Sequence, residues 1–145
     1  NENTELLLYM AARAENYHTV INKAFGKYDF IISDRSVDSS VAYQGYARGL
    51  QIEAIKWLNH FSTDGITPNV TYLLDLDARA ASLRMGDNLD RIEQEGIIFQ
   101  EKVRQGFLQL ALEEPDRFVV VDGSLSPEEC FGVIKADLYR RFSEY

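Results

Sequence analysis

The chain has 145 residues, 46% of them hydrophobic, and its 23 acidic against 15 basic side chains give a net charge of −8. Such a composition suits a folded globular chain and excludes a disordered or collagenous one, and no apolar run approaches the roughly 18 residues of a membrane span. The lone Cys130 excludes a disulfide framework or a cysteine zinc site, His18 and His60 begin no metal-ligand spacing, and the negative charge disfavours nucleic acid, so one domain over 1–145 in a reducing cytoplasmic setting is expected.

Residue 1 is Asn, and a helix-like pattern starts almost at once with no basic segment or cleavage site before it, so a missing N-terminal piece is expected. Thr4 is the candidate cap of a helix over 4–24, in which Leu6, Leu7, Met10, Ala14, Tyr17 and Ile21 recur at helical spacing and which Gly26 ends. The short run Phe30-Ile31-Ile32 predicts a buried strand of a parallel sheet, followed by Ser33-Asp34-Arg35. Helices are predicted at 38–47 and 51–62, parted by Gly49, and then a turn-rich loop. A second strand is predicted at 70–76, a helix at 78–85, a polar connection at 86–92 and a long helix over about 93–113. The third strand is predicted at 118–123, and Ser126 with Pro127 opens the last helix. Strands alternating with helices predict an α/β fold, a parallel sheet flanked by helices, with ligands beyond the carboxyl ends of the strands. Those ends carry Asp34-Arg35, Asp75-Leu76-Asp77 and Asp122-Gly123-Ser124.

Asp34-Arg35 after an apolar run is the sharpest local signal. An arginine there can hold a phosphate bidentately while its carboxylate neighbour holds Mg2+ through water, although a helix cap with a surface ion pair also fits. Tyr9 and Arg13, four residues apart, project from one helix face. That suits a base stacked on the ring with a guanidinium at its exocyclic oxygen; taken alone, an aromatic core contact and a solvated arginine fit better. Ser40, Tyr43 and Gln44 form a second polar cluster, in which Ser40 and Tyr43 share a face and suit a base edge and a sugar. A helix capped by Asp38 or Ser39 with a half-buried Tyr43 fits equally. Arg84 and Arg91, with Asp90 and Glu93 nearby, bracket a glycine-containing loop that can carry an arginine over a reacting phosphate, or be an ordinary exposed loop.

Together, Glu5-Leu6-Leu7-Leu8-Tyr9-Met10-Ala11-Ala12-Arg13, Ile31-Ile32-Ser33-Asp34-Arg35, Asp38-Ser39-Ser40-Val41-Ala42-Tyr43-Gln44-Gly45 and Leu89-Asp90-Arg91-Ile92-Glu93 resemble the bacterial thymidylate kinases, from residue 5 to about residue 140. The resemblance implies a nucleoside monophosphate kinase-like fold, a cytoplasmic homodimer, and ATP-dependent phosphorylation of dTMP to dTDP with Mg2+. It puts Tyr9 against thymine, Arg13 at its carbonyl edge, Ser40 at the base edge, Tyr43 against the 2′ position and Gln44 beside them, in an acceptor-nucleotide site at about 5–50. Arg35 matches the arginine on the dTMP phosphate, Asp34 its catalytic or Mg2+-linked neighbour, and 84–93 the lid over ATP, with Arg84 and Arg91 as its candidate catalytic arginines. Two departures stand out. No G-x-x-x-x-G-K-[ST] phosphate loop occurs: Gly26-Lys27 is followed by Tyr28 and has Ile21 where the first glycine belongs; and Gly86 falls where an arginine is often found. The resemblance thus implies a P-loop kinase fold without its first strands, with about 50–60 residues upstream. A strand from there would lie between the one ending in Asp34 and the one ending at Leu76, so a gap of about 10 Å or a rearranged packing is expected. The alternatives are a nucleotide-binding fragment without transferase activity and a deoxynucleoside kinase.

Overall fold

Leu6, Met10, Arg13 and Tyr17 follow one another at four-, three- and four-residue intervals, so they line one stripe of helix α1, Glu2–Asn16, and of its continuation. A computed structural model describes residues 1–84 and 95–143, and the chain divides into two compact units, Asn1–Pro68 and Asn69–Tyr145.

In the first unit Asn1, not Thr4, caps α1. Its Oδ1 accepts from the Thr4 amide at 2.9 Å and from the Thr4 hydroxyl at 3.1 Å, which puts Thr4 in the first turn. The helix widens into a π-helical turn at Tyr17–Ile21 before the short α2, Asn22–Ala24. Helix α3, Val37–Ser40, likewise runs into a π-helical segment, Val41–Ala47, and α4 spans Ile52–Ser62. Helix α1 packs on α4, and Leu6, Met10, Tyr17, Val37, Val41, Ala42 and Ile55 are buried hydrophobic residues of this unit. Gly45 permits close packing of the π-helical segment: a Cβ there would sit 3.2 Å from Ile52 Cγ1 and 3.4 Å from Ile55 Cδ1.

The strand expected at Phe30-Ile31-Ile32 does not form. These residues carry no strand pairing, and Ile32 is 94% exposed. A short apolar run becomes a strand only when another backbone hydrogen-bonds alongside it, and the expected gap between two strands therefore has no first strand.

In the second unit β1, Thr71–Asp75, pairs in parallel with β2, Phe118–Asp122, in a register that sets Thr71 opposite Phe118 and Asp75 opposite Asp122. The crossover that a parallel pair requires contains α5, Ala78–Arg84, and α6, Ile97–Glu113. Helix α6 starts at Ile97 because Gly96 holds φ at +87°, where a helix cannot run; the polar connection expected at 86–92 lies outside the described residues. Helix α7, Pro127–Phe142, opens with the predicted serine cap, reinforced by Glu129 in a reciprocal capping box. Val103, Leu110, Phe118 and Val121 form the core, each stabilising the unit by roughly 1.5–3 kcal/mol.

One buried carboxylate ties α7 to β1. Asp137 accepts from the Tyr72 hydroxyl at 2.9 Å, from Arg141 Nε at 2.8 Å and from Arg140, while Arg141 also donates to the Asp116 carbonyl at 2.7 Å. Burial pushes the Asp137 carboxyl upward, but the bonds from Arg140, Tyr72 and Arg141 outweigh it and hold the carboxyl below its usual range. Burial and the bond to Asp137 push the Tyr72 phenol up to about 12. Among the described residues no helix is long and apolar enough to cross a membrane.

Candidate functional site

Arg13 lies on the buried stripe of α1, where a guanidinium must find acceptors or destabilise the fold. It finds them on three elements. Nη1 donates to Asn59 Oδ1 on α4 at 2.6 Å and touches Met10 Sδ at 3.3 Å; Nη2 donates to Ser40 Oγ on α3 at 2.8 Å and to the Ser36 carbonyl at 3.2 Å. Burial lowers the Arg13 pKa from its ordinary value, and Tyr17 and Asp38 oppose that shift. Asn59 in turn donates to the Val37 carbonyl at 3.0 Å, and Tyr17 shares a 3.2 Å hydroxyl contact with Ser36. The residue before α3 is Ser36, so neither Asp38 nor Ser39 is the cap; both lie inside the helix, Asp38 buried.

Arg13 and Ser40, expected on separate helices as two of the candidate site residues, are thus in direct contact. Tyr9 sits one turn earlier on α1 with 40% of its surface exposed. Arg35 extends from the turn before α3 with its guanidinium carbon 4.6 Å from the centroid of the Tyr43 ring, and its Nε donates to Ser39 Oγ at 3.4 Å. Asp34, beside it, is exposed. Gln44 is buried and donates to Glu5 Oε1 at 3.1 Å, a carboxylate that also pairs with Arg48 at 3.3 Å, so Gln44 and Arg48 fasten the π-helical segment to α1.

Asn59 and Ser36 were not among the sequence candidates. Asn59 had a visible signal: with Ser62 it is one of two polar members of the stripe Ile55, Asn59, Ser62 that α4 buries. Ser36 works through its backbone carbonyl, which side-chain chemistry does not advertise.

The acidic strand ends of the second unit are occupied by their own chain. Asp75 accepts a bidentate bond from Arg104, 2.7 and 3.0 Å, which raises the guanidinium above its ordinary pKa. Asp122 accepts from the Ser124 amide at 2.8 Å and hydroxyl at 2.6 Å, which lowers its carboxyl. Arg84 ends α5. Arg91, with Asp90 and Glu93, lies outside the described residues.

A family model for thymidylate kinase matches residues 1–134. The chain belongs to the thymidylate kinase family. It is 47% identical to the thymidylate kinase of Kosmotoga olearia, over 87% of this chain and 62% of that protein, and 39% identical to that of Geotalea uraniireducens, over 97% of this chain and 70% of that protein. Its structure resembles the crystal structure of thymidylate kinase from Ehrlichia chaffeensis with a TM-score of 0.71 at 28% identity, covering 94% of this chain and 64% of the other. The expected α/β, nucleoside monophosphate kinase-like fold is thereby supported by a solved member of the thymidylate kinase family. The chain spans 62% to 70% of the length of these curated relatives.

Proposed function

We propose that the complete protein is a thymidylate kinase that transfers the γ-phosphate of ATP to dTMP, giving dTDP, and that this chain supplies the acceptor-nucleotide site at about 5–50. The observation that supports this best is the Arg13 network. Four acceptors hold the two terminal NH2 groups, so the guanidinium plane is fixed before a ligand arrives. Ser40 accepts from Arg13 and keeps its own hydrogen to donate to a pyrimidine carbonyl, with Arg13 Nε–H as a second donor at that edge. Tyr9 stacks on the base, Tyr43 crowds the 2′ position, and Gln44 supports the site from beneath.

Arg35 takes the acceptor phosphate and offsets its charge, which lowers the repulsion that an anionic nucleophile meets on approaching ATP. Asp34 would hold Mg2+. No group of three carboxylate, histidine or cysteine side chains among the described residues is arranged to hold a metal by itself, and one exposed carboxylate suits an ion that takes its other ligands from phosphates and water. When bound, Mg2+ neutralises phosphoryl oxygens. No phosphate loop occurs in the 145 residues, so the cradle for ATP is not in this chain. In the same reading 84–93 is the lid, with Arg84 and Arg91 as its candidate catalytic cations, and the complete protein is a cytoplasmic homodimer.

The test is phosphoryl transfer by the complete protein from ATP to dTMP or to thymidine. Transfer to dTMP alone supports the proposal; transfer to thymidine would replace it by a deoxynucleoside kinase. For the 145-residue chain the missing loop favours dTMP binding without transfer, and turnover by this chain would overturn that reading.

A further inference from the structure

Arg35 has φ +65°, a left-handed conformation that side chains with a Cβ seldom adopt. The Ser33 hydroxyl donates to the Arg35 carbonyl at 2.9 Å and closes the turn around it. The turn sends the side chain back over Tyr43, whose ring centroid lies 4.6 Å from the guanidinium carbon, and Ser39 Oγ accepts from Nε at 3.4 Å. An exposed arginine ordinarily samples many rotamers, whereas this one is held by a ring and a hydroxyl. Among the described residues only Nε has a hydrogen-bond partner, so both terminal NH2 groups remain for a ligand. A guanidinium laid on an aromatic face keeps its in-plane donors pointing outward, as a bidentate grip on phosphate requires.

We propose that Tyr43 is a positioning residue for Arg35, its ring holding in place the guanidinium that takes the acceptor phosphate. Phosphate recognition and sugar discrimination then share one side chain. The inference rests on the reading of 5–50 as a dTMP site and adds a coupling that this reading does not require.

The experiment is calorimetric binding of dTMP and of thymidine, without ATP, to the complete protein and its variants. The two ligands differ only by the phosphate, so their affinity ratio reports the phosphate grip. Tyr43→Phe keeps the ring and should keep the ratio. Tyr43→Leu should lower it by about threefold to tenfold. Ser33→Ala releases the turn from an exposed position and should lower it too. In an Arg35→Ala background Tyr43→Leu should no longer change the ratio, which a merely structural role for the ring would not produce. An unchanged ratio in both Tyr43→Leu and Ser33→Ala overturns the inference. A parent protein that fails to prefer dTMP over thymidine overturns the dTMP reading instead.

Discussion

At the scale of single residues, two arginines divide the proposed site between them by burial. Arg35 is exposed and keeps its terminal donors for a ligand, so its geometry matters more than its charge. Arg35→Lys in the complete protein retains the charge and loses the planar fork, which should weaken dTMP binding by about 1–3 kcal/mol and leave ATP binding nearly unchanged. Equal losses for both nucleotides, measured as separate dissociation constants, would remove Arg35 from the acceptor phosphate. Tyr43→Ala opens the space beside the sugar and should raise the use of the ribonucleotide relative to dTMP, read as the ratio of the two kcat/KM values; an unmoved ratio would place sugar selectivity elsewhere. Arg13 shows where residue-level reading stops. Four-residue spacing puts it on one face with Tyr9, but spacing alone favours a solvated guanidinium, because the acceptors that allow burial come from α3, α4 and a backbone carbonyl.

At the scale of elements, the helices were legible and the first strand was not. Helical periodicity places α4, α6 and the run from α1 through α2 to within a few residues, and the serine cap with Pro127 places the start of α7. The π-helical turns were not legible, because the sequence pattern carries no separate signal for an i→i+5 turn over five to seven residues. Phe30-Ile31-Ile32 has strand composition, yet whether it pairs depends on a neighbouring backbone, which composition does not report. Helix α4 joins fold and site through Asn59, which satisfies Arg13 with its oxygen and the Val37 carbonyl with its amide. Asn59→Ala should leave both groups short of a partner and lower stability in urea by about 1–3 kcal/mol. It should weaken dTMP and thymidine alike if Arg13 serves the base as proposed; a selective loss of dTMP would contradict that assignment.

At the scale of the whole molecule, the acidic balance that disfavours nucleic acid also shapes the response to pH, and here the Asp137 cluster gives a signed expectation in both directions. The Asp137 carboxyl is held below its ordinary value, so the folded state binds fewer protons than the unfolded one in that range. The stabilisation is present above the ordinary value of 3.8 and is lost as pH falls through the folded value. Tyr72 runs the other way. Its phenol is raised from 10.0 to about 12, so its contribution is complete below pH 10 and disappears as pH rises toward 12. Both arms protect one arrangement, a neutral phenol donating to an ionised carboxylate, and both should therefore respond to Tyr72→Phe. That variant keeps the ring and deletes the donor. In urea titrations of the complete protein at pH 3, 4, 7, 10 and 11, the parent should lose stability at both ends, while Tyr72→Phe should be weaker at pH 7 and lose less between pH 10 and 11. Its loss below pH 4 should shrink but persist, because Arg140 and Arg141 still hold Asp137. Parallel curves for parent and variant across the alkaline arm would show that the Tyr72 proton does not report on folding, and the coupling between α7 and β1 would then rest on the two arginines.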